Sequence, residues 1–87
     1  MATVLLPRSL LALLPGAQRR TVVPGDDVAS VIAALDGLVP GVEDRLVEEG
    51  PRLRPHINVF VGGRPADLDT AVGPDDVVHV IPAVSGG

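Results

Sequence analysis

The chain has 87 residues, a net charge of −4 and no cysteine, and each of these facts closes off a class of function. A domain of this length buries roughly two-thirds of its unfolded surface, enough for one modest core but not for a second domain or a deep substrate cleft. Without thiols there is no disulfide, thiolate metal site or nucleophilic cysteine, and an acidic balance with a single aromatic residue offers phosphate backbones no attraction and bases no stacking platform, so nucleic acid is not expected as a partner.

All seven basic residues are arginine: Arg8, Arg19, Arg20, Arg45, Arg52, Arg54 and Arg64. With lysine absent, the only amine the chain offers to an acylating agent is its N-terminus. The opening stretch MATVLLPRSLLALLPGAQRR has an apolar middle, but no basic residue precedes the apolar run and Pro7-Arg8 interrupts it. It therefore reads neither as an export signal nor as a membrane span, which needs about 20 largely unbroken apolar residues. A cytoplasmic protein is expected.

In chain order, TVLLP (Thr3 to Pro7) is a short β-rich run closed by proline, and RRTVVPG (Arg19 to Gly25) is another closed by Pro-Gly. The segment between them, apolar but carrying Pro15-Gly16, reads as the long or irregular turn of a hairpin. Asp26 or Asp27 then supplies a helix N-cap, and Val28, Val31, Ile32 and Leu35 fall on one helical face. The helix is expected over about residues 27 to 38, with Gly37 at the left-handed position past its end and Leu38 making the contact beyond. GVEDRLVEEG (Gly41 to Gly50) adds a helical turn or two, with Val42 and Leu46 on one side.

After the proline-extended PRLRP, HINVFVGG alternates Ile57, Val59 and Val61 against His56, Asn58 and Phe60, the pattern of a half-buried strand entering a Gly62-Gly63 turn. RPADLDTAVGPDD is turn-rich, anchored by Leu68 and Val72, and VVHVIP (Val77 to Pro82) is the last strand. In the Gly73-Pro74-Asp75-Asp76 stretch the acid pair reads as a turn that caps a strand. The order β-β-α-β-β predicts an α+β fold, four or five strands of a mixed sheet with one main helix across one face. The expected core is Val4, Leu6, Val22, Val28, Val31, Ile32, Leu35, Ile57, Val59, Val61, Val78 and Val80. The first and last strands should lie side by side, and the chain should leave the sheet at an edge.

The ending IPAVSGG, the strand before it, the INVFV segment, the single helix and the length together resemble the ubiquitin-like β-grasp sulfur carriers. These include the small subunit of molybdopterin synthase, the thiamine-pathway carrier and, most similar in style, the actinobacterial cysteine-synthesis carrier. The resemblance implies a β-grasp domain over residues 1–82 and a flexible Gly-Gly tail over residues 83–87. It implies that an activating enzyme of the ubiquitin type adenylates the Gly87 carboxylate, using ATP and Mg²⁺ held by that enzyme. The product becomes a thiocarboxylate, so sulfur travels on a chain end that needs no cysteine. Glycine at 86 and 87 lets the tail pass a channel too narrow for a Cβ. The chain is then a carrier rather than an enzyme, with no bound cofactor and two protein partners, the activating enzyme and a sulfur-accepting synthase.

By analogy with ubiquitin, Val78 and Val80 face the helix while His79 and Ile81 point outward. The same alternation puts Phe60 outside, so that Phe60, His79, Ile81, Pro82, Ala83, Val84 and Ser85 form the expected docking surface leading to Gly86 and Gly87. The competing register makes Phe60 a core residue. Two histidines without cysteine or clustered carboxylates make no metal site, and Arg52, Arg54 and Arg64 are expected at the solvent. Two other readings use the same fold: a protein modifier joined through Gly87 to target lysines, and a non-covalent interaction module. A β-grasp ferredoxin is excluded by the missing cluster ligands. The acceptor, whether cysteine, molybdopterin, thiamine, a tRNA base or a secondary metabolite, is not written in the chain.

Overall fold

The computed structural model describes residues 1–82; the expected tail over residues 83–87 lies outside them. Seven strands and three helices follow one another as β1 (Ala2–Leu5), α1 (Arg8–Leu11), β2 (Arg20–Val23), α2 (Val28–Leu38), α3 (Val42–Leu46), β3 (Val47–Glu48), β4 (Arg52–Leu53), β5 (Ile57–Val61), β6 (Arg64–Ala66) and β7 (Val77–Pro82). Five of the strands make one mixed sheet in the order β2-β1-β7-β5-β6, and β3 and β4 form a separate two-stranded ribbon. The α+β expectation holds, and β1 and β7 are parallel neighbours as expected.

The last strand, however, sits in the middle of the sheet, between β1 and β5, so the chain leaves from the centre and not from an edge. The cause is β6. Pro65 and the turn-like composition around it conceal an edge strand that pairs with β5 through a two-residue turn, in which Gly62 (φ 57°) and Gly63 (φ 83°) adopt the left-handed conformations that such a tight hairpin requires.

The helix starts where the sequence places it. Asp27 Oδ1 accepts from the Ser30 amide at 2.7 Å, and the first-turn amides of Val28 and Ala29 donate to the carbonyls of Thr70 and Leu68. The 67–72 loop thus satisfies donors that a helix N-terminus leaves open. The helix ends at Leu38 as expected, but not by the expected stop. Gly37 is an ordinary helical residue without a positive φ, α2 runs on to Leu38, and the Val39 amide still donates to the Leu35 carbonyl at 2.8 Å. Leu38 is 64% exposed while Val39 is 4% exposed and buried, so Val39 makes the contact assigned to Leu38. Asp36 turns out to cap the next helix: its Oδ1 accepts from the amides of Gly41 and Glu43, each at 3.1 Å. Val42 and Leu46 of α3 are both buried, as their spacing predicts.

The core lies between the sheet's inner face and the stripe Val28, Val31, Ile32 and Leu35 of α2, with Val4, Leu6, Ile57, Val59, Val61, Val78 and Val80 opposite. One expected member fails. Val22 is 50% exposed and Val23 is fully buried, because β2 pairs with β1 in the register Ala2↔Val23 and Thr3↔Val22. Directly opposite residues share a face, so Val23 joins inward Ala2 and Val22 joins outward Thr3. The irregular turn of the first hairpin contains α1 and delivers Leu10 and Leu14 to the core.

Candidate partner-docking site

The face of the sheet turned away from α2 is built by the same alternation that builds the core. Inward Val59 and Val80 pair directly, so their neighbours Phe60 and His79, which also pair directly, stand on the outer face. The pairing continues on both sides: His79 lies opposite Leu5, Leu5 opposite Arg20, and Phe60 opposite Pro65. A single row, Arg20–Leu5–His79–Phe60–Pro65, therefore crosses all five strands. Side chains directly opposite one another have Cβ atoms about 4.5–5.5 Å apart, which makes the row a continuous surface.

Phe60 is half-buried between buried Val59 and Val61, so the register that would make it a core residue is excluded. It also borders a shallow groove with Pro55, Asn58 and Pro65. Ile81 lies opposite Asn58, diagonal to Phe60 and on the same face. Pro82 does not join them on that face: it pairs with inward Ile57, so its ring falls on the opposite side of the strand from Ile81. Of the expected docking residues the structure thus unites Phe60, His79 and Ile81 and sets Pro82 apart. Ala83, Val84, Ser85, Gly86 and Gly87 lie outside the described residues. Leu5, Pro65, Val22 and Val77, which occupy the same outer face, are missing from the sequence-based list. The burial of Ala2, Val4 and Leu6 fixes Leu5 outward, but only once β1 is known to begin at Ala2.

Several other polar groups are structural. Asp76 Oδ2 accepts from the Gly73 amide at 2.8 Å, and the Asp76 amide returns a bond to the Gly73 carbonyl, so Asp76 caps the turn into β7 as expected. Arg52 and Arg64 are exposed as expected, although Arg52 Nε donates to Glu48, whereas Arg54 is half-buried, reaches Glu48 and donates from Nε to the Asp44 carbonyl at 2.8 Å. Among the described residues no three His, Asp or Glu side chains are grouped to hold a metal ion, and no helix is long and apolar enough to cross a membrane.

A five-stranded mixed sheet with parallel first and last strands, one principal helix on its inner face and an apolar outer face leading into a Gly-Gly sequence defines a ubiquitin-like β-grasp protein of the sulfur-carrier type. The chain belongs to the ThiS family, whose model matches residues 11–87. It is 30% identical to the sulfur carrier protein CysO of Mycobacterium tuberculosis, over 98% of this chain and 97% of that one. It is 41% identical to small archaeal modifier protein 1 of Haloferax volcanii, over 78% of this chain and 79% of that one. In three dimensions it matches a chain of the crystal structure of the Amycolatopsis orientalis BexX/CysO complex with a TM-score of 0.88, at 28% identity and full coverage of both chains. The family thus comprises small sulfur carriers and ubiquitin-like modifiers.

Proposed function

We propose that the protein carries sulfur on the carboxylate of Gly87. The observation that carries the reading is a ThiS-family match that extends through the Gly86-Gly87 end, on a fold whose central strand leads directly into that segment. A carboxylate is a poor electrophile. One of its oxygens attacks the α-phosphorus of ATP in the active site of an adenylating enzyme, and pyrophosphate leaves. Hydrosulfide then attacks the acyl carbon of the mixed anhydride and expels AMP, so that a C–S bond replaces a C–O bond. No redox change occurs, and no side chain of this protein takes part. Gly87 is the reacting residue, Gly86 allows it to enter a narrow channel, and residues 83–85 lie within that channel.

Phe60, His79 and Ile81 are the side chains that present the domain to its partners, with Pro82 marking where the strand ends. ATP and Mg²⁺ belong to the activating enzyme, and the second partner is a synthase that captures the sulfur, the kind of association that the BexX/CysO complex displays for its own components. This reading places the protein in the cytoplasm. The test is intact-protein mass spectrometry after incubation with an active cognate adenylating enzyme, ATP and a sulfide source. A species heavier by the exchange of one oxygen for sulfur, absent when Gly87 is deleted, is the expected result. Its persistent absence, or its appearance on a chain lacking Gly87, overturns the proposal.

The likeness to an archaeal modifier favours a second use of the same activated end, amide formation with a lysine of a target protein. The acceptor amine would belong to the target, since this chain has no lysine of its own and cannot be built into lysine-linked chains. Adducts of this protein on other proteins in cells, lost with Gly87, are the readout for that use.

A further inference from the structure

Along β1, β2 and β7, carboxylates and arginines stand at opposite ends of the strands. At the end where β7 begins stand Asp75 and Asp76, with Asp26 and Asp27 just past the paired end of β2. At the end where β7 finishes, β1 runs out toward Arg8, and β2 begins at Arg20 just after Arg19; the backbones of Arg19 and Arg20 pair with Leu6 and Leu5. The spacing of strands puts Arg20 about 10 Å across the sheet from His79, and the rise along a strand puts Pro82 about 10 Å beyond His79. An extended arginine therefore reaches toward the strand end.

Arg8, Arg19 and Arg20 are exposed, and no carboxylate of the described residues lies within 4.0 Å of them; the two ion pairs found there involve Arg52 and Arg54 with Glu48. The outer sheet face beside them carries Thr3, Leu5, Val22, Asn58, Phe60, Pro65, Val77, His79 and Ile81, none of them acidic in a chain with eleven acidic residues.

We propose that Arg8, Arg19 and Arg20 form a basic collar beside the end of the last strand, and that its occupant is a protein surface whose apolar centre covers Phe60 and Ile81 and whose rim carries carboxylates. The inference rests on the reading that a partner receives the residues after Pro82, and it specifies the charge of that partner's mouth. Exposed charges of this kind steer encounter and fix orientation, and added salt screens them.

The test measures binding of the full chain to the adenylating enzyme of the same genome, without ATP, at low and high ionic strength. The double variant Arg19→Glu/Arg20→Glu should bind about tenfold or more weakly at low salt, with the gap closing as salt rises and the melting temperature unchanged. Arg64→Glu, the same charge change per residue but at the opposite end of the sheet beside the Gly62-Gly63 turn, should bind as the wild type does. Weakening by Arg64→Glu in proportion to its charge change, half that of the double variant on a logarithmic scale, or greater, reduces the effect to net charge and overturns the collar. So does unchanged binding of the double variant, or an arginine dependence found only with RNA or anionic vesicles. Sulfur loading of the wild type is read separately by mass. Loading with charge-independent binding defeats the collar alone, whereas a collar effect without loading defeats the carrier mechanism alone.

Discussion

Exchanging the roles of two adjacent valines is the sharpest check on how the first hairpin is aligned. Val23 is fully buried beneath α2 and opposite Ala2, whose methyl group cannot fill a void, while Val22 stands 50% exposed on the outer face. Val23→Ala removes two buried carbons, about 0.8 kcal/mol each in transfer free energy, and the unfilled cavity raises the total to about 2 to 3 kcal/mol. Val22→Ala loses only half-exposed surface and some strand preference, under about 1 kcal/mol. In a domain whose whole stability is of order 5–10 kcal/mol, the first change lowers the melting temperature by roughly 10 °C or more and the second by a few degrees. Thermal unfolding followed by circular dichroism separates the two. If Val22→Ala proves as costly as Val23→Ala, the register Ala2↔Val23 is wrong, and the outer-face row built on it fails as well.

Gly25→Ala should be strongly destabilising in the same assay, because at φ 150° its new Cβ would stand 2.7 Å from both the Val31 amide nitrogen and a Val31 methyl. Phe60→Ala should cost about 1 kcal/mol or less in stability while weakening partner binding; a collapse in stability with unchanged binding by the folded fraction would show it to be core. The Ser30 amide bond holds the Asp27 carboxyl below its ordinary value, so its contribution is fully present above the ordinary carboxylate range and is lost as pH falls through the folded value. Asp27→Ala should therefore lower stability at neutral pH and flatten the acid limb of the stability curve; an unchanged limb would show that the cap does not titrate with folding.

What the sequence reveals and what it hides follow from how many neighbours each signal needs. Ile57, Val59 and Val61 alternate cleanly with polar or outward residues, so their face is legible from one strand alone, and the spacing of Val28, Val31, Ile32 and Leu35 is legible for the same reason. Val22-Val23 is a doublet with no alternation, and only the pairing with β1 decides between them. Gly37 has the composition of a helix end, but the stop is made by Val39 leaving the helical conformation before Pro40, a tertiary choice. β6 is three residues long and contains Pro65, and its existence depends on β5 being there to receive it. The docking face inherits this division: Phe60, His79 and Ile81 follow from strand alternation, whereas the arrival of Leu5, Arg20 and Pro65 in the same row needs the strand order.

The central position of β7 also decides how the molecule answers to force. β1 and β7 run parallel side by side, so the beginning of one and the finish of the other lie at opposite ends of the sheet. Tension drawn from beyond Pro82 against the start of β1 runs along the strands, and the ladders flanking β7 on both sides, to β1 and to β5, are loaded in shear. Their hydrogen bonds must then yield together instead of unzipping one after another. A pull on the end of β7 is thereby resisted by two ladders at once.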